Sequence, residues 1–381
     1  MTVYKYSNSK RLMSDLPIKP SKPTRGRGAV TNQPSRFLAA VVEPQSDDWG
    51  DGLDILEHWQ ACSTKVQVKP DLTKRLITTN RSPDIPFEQS INPYKGCEHG
   101  CIYCFARPTH AYLDLSPGLD FETHIFYKTN VREHLLRELT RPSYQISPIA
   151  MGTNTDPYQP IEREHRITRT VLELALQTRH PVSIVTKGVL ILRDLDLLTE
   201  LAKHNLVHVS VSLTTLSKSL KQQLEPRTAS PSARLRIIRD LSKAGVPTGA
   251  MFAPIIPYVN DHELEALVST AHQAGARWGA YILLRLPREV RPLFEEWLQN
   301  HYPERQRKVM NVLDAHHQKP EGRTQWSVRM RGTGVFADLL SQRFAIASRK
   351  VGFDHERAPL RTDLFRPPTS GTEAGQMGLF D

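Results

Sequence analysis

Cysteine is scarce in this chain, with four in 381 residues. A disulfide-stapled scaffold is therefore excluded as the basis of the fold, and four cysteines with no secretory leader fit a reducing, cytoplasmic protein. Long apolar runs are missing as well. Hydrophobic residues make up 39%, and none of their runs nears the roughly 20 residues that cross a bilayer, so no membrane partner is expected. Acidic residues are fewer than basic ones, 40 against 50, for a formal charge of +10. That excess suits a polyanionic partner such as nucleic acid without requiring one.

What is present is concentrated. Three of the four cysteines fall within Cys97-Glu98-His99-Gly100-Cys101-Ile102-Tyr103-Cys104, introduced by Asn92-Pro93-Tyr94-Lys95-Gly96. Three ionised thiols in one loop repel each other unless a metal centre spreads their charge. Structural zinc usually draws on two separated ligand pairs, and no second pair at knuckle spacing follows; His99 or His110 could still complete a set. A cubane of four irons and four sulfides normally takes four cysteines. Three would leave one iron open to a ligand that is not protein. Lone Cys62 lies outside this loop and reads as a packed thiol.

The Cys-x3-Cys-x2-Cys pattern with an aromatic residue before the last cysteine resembles the signature of the radical S-adenosylmethionine superfamily. The resemblance implies a 4Fe-4S cluster on Cys97, Cys101 and Cys104, with S-adenosylmethionine chelating the open iron. Reductive cleavage would then yield a 5′-deoxyadenosyl radical that abstracts hydrogen from substrate. It also implies Tyr103 against the adenine and a reducing partner such as flavodoxin or ferredoxin. Without the resemblance, Tyr103 reads as loop packing.

The chain from Glu88 to about residue 290 alternates strand and helix signals. Candidate strands are 89–92, 146–152, 182–186, 207–213, 248–256 and 281–286. Helices are expected near 131–139, 167–175, 190–204, 230–245 and 260–271. Ile167, Val171, Leu174 and Ala175 make one apolar stripe, and Ile237, Ile238, Leu241 and Ala244 another. Ser230 and Pro231 look like a helix start, Gly245 a stop, and Asn260 with Glu263 a capping box. Alternation of this kind predicts an α/β protein with a parallel sheet. Six units match the partial (βα)6 TIM-type barrel that the superfamily implies, with reactive groups on loops at the carboxyl ends of strands.

Residues at those ends carry the site expectations. Thr153-Asn154-Thr155-Asp156-Pro157-Tyr158 stands where most of the superfamily has Gly-Gly-Glu, and resembles the Cys-Thr-Ser-Asp of the DNA-repair branch, the spore photoproduct lyases. Thr155 and Asp156 would offer oxygens to the cofactor ammonium, although Asp-Pro also makes an ordinary turn. By the same resemblance Lys187 would pair with the cofactor carboxylate and Ser212 share that duty. Arg227 could clamp a carboxylate or pair with Glu225 on the surface, and Arg285 could meet a substrate phosphate or a structural carboxylate. Thr153 replaces the lyase cysteine that returns hydrogen to product, so that chemistry does not carry over. By position Tyr158 or Tyr258 could donate instead.

The expected domains are a basic flexible extension over 1–60, the barrel over 61–320 and a small appendage over 321–381. In the first, Arg25 and Arg27 read equally as phosphate contacts or as a solvated tail. In the last, Phe336, Leu339, Leu340 and Phe344 predict a short amphipathic helix. The stretch from Gln376 to Phe380, Gln-Met-Gly-Leu-Phe, resembles the peptide by which bacterial repair proteins grip the DNA sliding clamp. The functional expectation is a radical enzyme acting on nucleic acid, as a DNA-repair-type lyase or base modifier. RNA or a small metabolite is the alternative substrate, and a zinc-stabilised nucleic-acid-binding protein without turnover the alternative class.

Overall fold

The computed structural model describes residues 26–33, 35–37, 65–82, 85–317, 332–354 and 357–368. Its strands are β1 (Gln67–Asp71), β2 (Ile77–Thr79), β3 (Gln89–Ile91), β4 (Tyr94–Lys95), β5 (His124–Lys128), β6 (Ile149–Met151), β7 (Val182–Thr186), β8 (Val207–Ser212), β9 (Thr248–Ile255) and β10 (Trp278–Leu283). Helices of seven residues or more are α1 (Val131–Leu139), α2 (Ile167–Thr178), α3 (Leu195–Lys203), α4 (Lys218–Leu224), α5 (Pro231–Lys243), α6 (Leu264–Gln273), α7 (Val290–His301), α8 (Gln306–His317) and α9 (Val335–Val351).

The main sheet runs β10-β9-β8-β7-β6-β3-β2. Its six strands from β3 to β10 are parallel, and β2 is an antiparallel edge on β3. This is the six-unit order expected of a partial barrel, open between β10 and the β3 side among the described residues. A small second sheet, β1-β5-β4, flanks it.

Why these residues form these strands is plainest in β8. Val207, Val209 and Val211 join the main hydrophobic core under the helices. His208, Ser210 and Ser212 take the opposite face, as the two-residue strand period requires. Register carries this across the sheet. Ala150, Ser183 and His208 stand in one row, and Val185, Ser210, Gly249 and Trp278 in the next. The face away from the helices therefore carries small and hydroxylated residues, Ala150, Ser183, Ser210 and Gly249, interrupted by the larger His208, Val185 and Trp278.

Helix punctuation follows the sequence at most ends. Ser230 accepts the amide of Ala233 at 3.2 Å, Pro231 opens α5, and Gly245 adopts the left-handed φ of +78° that ends it. The stripes on α2, α5 and α6 are buried apart from Ala244, which is half-buried. Four expectations need correction. The sixth strand begins at Trp278, because pairing of Trp278 with Gly249 sets its start. The 190–204 helix is a 3-10 turn, Val189–Asp194, followed by α3. Asn260 and Glu263 form no capping box: Asn260 binds Ile256, Thr214 and Pro254, and Glu263 takes Thr215 and the Leu216 amide. The carboxyl-terminal helix α9 is seventeen residues long, and Leu339 faces solvent while Leu340 is buried.

Residues 332–354 and 357–368, within the expected small appendage, pack against the rest of the chain. Helix α9 lies against α6, with Phe344 touching Phe252 and Tyr281. Residues 357–368 then pass beneath the amino ends of the strands. Arg361 donates its amide to the Asn205 carbonyl and Arg366 to that of Thr178. Cys62, Arg25 and the stretch from Gln376 to Phe380 lie outside the described residues.

Candidate active site

The cysteine loop leaves β3 through β4 and sits at the carboxyl end of the parallel strands. Its backbone is turned by Gly96 and Gly100 at φ +77° and +66°, values that L side chains rarely adopt. Cys97 donates its amide to the Phe121 carbonyl at 2.9 Å, and Cys104 to that of Cys101 at 3.2 Å. Cys97 and Cys101 are buried and Cys104 partly so, and all three are free thiols. Burial pushes the Cys101 thiol up to about 12 against the pull of Lys187, and raises Cys97 and Cys104 as well. A buried thiol so raised ionises only when a cation replaces the lost water.

Two carboxylates pin this loop to neighbouring strands. Tyr103 donates its hydroxyl to Glu225, which also accepts Thr214 at 2.8 Å and pairs with Arg234. Arg234 in turn binds Thr228 at 2.6 Å and the Ser212 carbonyl at 3.0 Å. Burial would raise the Glu225 carboxyl, but Arg234, Lys187 and Tyr103 hold it at about 2. Glu98 accepts the Ile161 amide at 3.1 Å and Arg227 at 3.0 Å. Arg227 therefore does not pair with Glu225 on the surface, the arrangement that their spacing in the sequence allowed, because Glu225 is fully buried.

Asp156 is used up by the protein. Its Oδ1 accepts Thr186 at 2.7 Å and the Tyr158 amide at 2.9 Å; its Oδ2 accepts the Lys187 amide at 2.7 Å and faces His99 Nδ1 at 3.4 Å. Burial works to raise this carboxyl, yet His99, Thr186 and the Lys187 amide hold it well below the usual range. Since a carboxylate has about four acceptor sites, Asp156 has none left for a ligand. Thr155 donates its hydroxyl to the Tyr94 carbonyl at 2.8 Å, which leaves its oxygen able to accept. Lys187 is half-buried; burial works to lower its pKa, and the charges of Cys101, Glu225 and Asp156 raise it. Ser212 ends β8 with its hydroxyl 3.5 Å from the Ala253 carbonyl.

The structure thus brings together Cys97, Cys101, Cys104, Tyr103, Thr155, Asp156, Lys187, Ser212 and Arg227. Tyr158 does not join them: it is buried, and burial with the charges of Asp194 and Glu162 raises its hydroxyl well above the ordinary value. Tyr258 is exposed, with its ring 6.4 Å from that of Phe336. His99 and His110 are both engaged elsewhere, His110 Nε2 with the His124 carbonyl at 3.0 Å. Glu225, Arg234, Glu98, Glu122 and Arg107 escaped the sequence reading. A signal existed for Arg234, an arginine set on the Ile237, Ile238, Leu241 stripe.

The profile described as the radical SAM superfamily matches residues 91–271. An uncharacterized protein of Mycobacterium tuberculosis is 35% identical over 292 residues, 76% of this chain and 82% of its own. The chain belongs to the radical SAM superfamily. This radical SAM chain shares its fold with spore photoproduct lyase. A complex of that enzyme with dinucleoside spore photoproduct aligns with a TM-score of 0.56 at 17% identity over 82% of this chain and 86% of that one. A second structure, with bound AdoMet and dinucleoside spore photoproduct, gives 0.52 at 16% over 82% and 84%. Membership of the superfamily brings a 4Fe-4S cluster and S-adenosylmethionine as cofactors.

The donor set fits that group. Three free cysteine thiols stand in one eight-residue loop, the soft sulfur donors that iron–sulfur clusters take. A cubane spaces its thiolates more widely than a single ion does, because each binds a different iron.

Proposed function

We propose that Cys97, Cys101 and Cys104 bind three irons of the cluster and that the radical SAM enzyme so formed acts on nucleic acid. The observation that carries the reading is three unpaired thiols in one loop at the strand carboxyl ends, two of them buried and Cys104 half-buried, with the Lys187 charge felt at Cys101. The cluster and S-adenosylmethionine, when bound, supply a 5′-deoxyadenosyl radical able to abstract hydrogen. The protein's part is to hold, orient and exclude water.

Lys187 meets the cofactor carboxylate as a point charge, with Ser212 beside it. The cofactor ammonium falls to Thr155, whose oxygen remains an acceptor. Asp156 serves as a positioning residue, since its oxygens already fix the Lys187 backbone and His99. Tyr103 is held by Glu225 with its ring in the loop, against the adenine. Arg227, tied to Glu98, lines the entrance at the side of the loop. A reducing partner such as flavodoxin or ferredoxin delivers the electron.

Nucleic acid as substrate is supported by the charge of +10 and by the sharing of this fold with a lyase whose structures hold a dinucleoside photoproduct. A DNA-repair type of reaction is the preferred form, and binding to the sliding clamp through Gln376 to Phe380 would place it there. Anaerobic reconstitution tests the chemistry: about four irons and four sulfides per chain are expected, with reductive cleavage of S-adenosylmethionine lost in Cys101→Ala. Retained cleavage in that variant would overturn the ligand assignment. Anaerobic crosslinking scored separately for DNA and RNA tests the substrate; capture of neither would refute it.

A further inference from the structure

An open sheet leaves its first and last strands unjoined, and in this chain a segment from far upstream bridges them. Residues 26–37 were expected to belong to a mobile basic tail. Their described part is instead packed. Gly28 and Ala29 donate their amides to the two oxygens of Glu122 at 3.0 and 2.8 Å. Arg107, fully buried, pairs with the same carboxylate at 2.5 Å and donates to the Cys101 carbonyl at 2.9 Å. Gly28 lies so close to Gly100 that a Cβ there would collide with the Gly100 carbonyl. Asn32 and Asp120 exchange two hydrogen bonds, at 3.0 and 3.1 Å.

The other side of the same segment reaches across to α7, the helix after β10. Thr31 donates to Glu296 at 2.9 Å, and Arg36 pairs with Glu289 at 2.7 and 3.0 Å. Ala29 is buried in a second hydrophobic cluster that unites Cys101, Ile102 and Tyr103 with Leu293, Phe294 and Trp297 of α7. One short strand of chain thus touches the cysteine loop, which follows β3, and the helix that follows β10.

We infer that residues 26–33 and 35–37 are a clasp that closes the seam of the open barrel and sets the position of the cysteine loop, with Glu122 as the positioning residue that receives it. The inference rests on reading 97–104 as the cofactor loop. Glu122 touches no thiol; it acts through Arg107, whose guanidinium fixes the Cys101 carbonyl, and through the two strap amides. Without the clasp, the loop keeps its turns but loses the wall against which Cys101 to Tyr103 pack.

The test uses the full chain in two forms. Thr31→Ala/Arg36→Ala cuts only the α7 side, leaving Glu122 and every group at the mouth in place. Hydrogen exchange on the cofactor-free protein is expected to quicken about tenfold at 97–104 as well as along α7. In the reconstituted protein, the change in the reduced cluster's electron paramagnetic resonance on adding S-adenosylmethionine is expected to shrink. Gly28→Val, which forces the strap off Gly100, is expected to give the larger effect on both. Faster exchange in α7 with 97–104 unchanged in the double variant overturns the clasp. Because exchange is measured without cofactors, failure of the clasp is distinguishable from failure of the unaltered chain to assemble a cluster.

Discussion

The two ends of the parallel sheet are held by different forces. At the carboxyl end, charges are paired: Glu225 with Arg234 and Glu122 with Arg107 in full burial, and Glu98 with the half-buried Arg227. At the amino end, residues 354 and 357–366 are fastened mainly by backbone bonds, Asp354 to Arg277, Arg361 to Asn205 and Arg366 to Thr178, beside one exposed ion pair of Arg277 with Asp354. Rings finish that end, with Phe365 edge-on to His180 at 5.3 Å and 5.8 Å from Tyr144. Buried ion pairs cost desolvation and return little net stability, but they fix direction. Backbone and ring contacts hold without demanding one geometry. The chain places its directional interactions where atoms must be aimed.

Breaking a pair at the mouth should therefore have the largest effect. Arg234→Leu leaves Glu225 buried without its cation and is expected to cost about 3–5 kcal/mol. Chemical denaturation reads it, and a loss below about 1 kcal/mol would mean that the Glu225 network is dispensable. Next comes Lys187→Ala, which removes one cation felt by Glu225 but leaves its Arg234 partner in place. The Michaelis constant for S-adenosylmethionine is expected to rise roughly 10- to 100-fold, the worth of one charge-assisted hydrogen bond, with the melting temperature little changed. An unchanged constant would remove Lys187 from the cofactor site.

The smallest effect separates buried histidines from the Glu225 network by acid. Burial pushes His180 and His208 down to about 4, so each is neutral when folded. Their folded values lie below the ordinary 6.5, so the stability they contribute is full above that pH and lost as pH falls toward 4. Glu225, held at about 2 against an ordinary 4.5, loses its contribution only between those values. Hydrogen exchange across a pH series should thus show the surroundings of His180 and His208, and of His110 beside Gly96, which burial also pushes down to about 4, loosening before the Glu225 network. Simultaneous loosening would erase the distinction.

Much of this architecture was legible because it is local. The alternation in β8, the stripe on α2 and the Ser230-Pro231 start are written within a few residues of where they act. The three cysteines were legible for the same reason. What escaped was long-range. Asn260 and Glu263 had the spacing of a capping box, but stronger partners waited in the loops after β8 and β9. Asp156 read as a ligand for ammonium because nothing nearby reveals that Thr186, the Lys187 amide and His99 already surround it. Glu122 and Gly28, more than ninety residues apart, carry no shared pattern by which a sequence alone would pair them.

The strict alternation of β8 has one more effect. Sliding this strand by a single residue would turn three valines onto the buried inner face of the sheet and drive a histidine and two serines into the oil under the helices. So steep a penalty leaves only one register, and the height of Ser212, with Lys187 beside it on β7, is inherited from side chains on the far face that never meet a ligand. Precision at the mouth is thus set by grease at the back of the sheet.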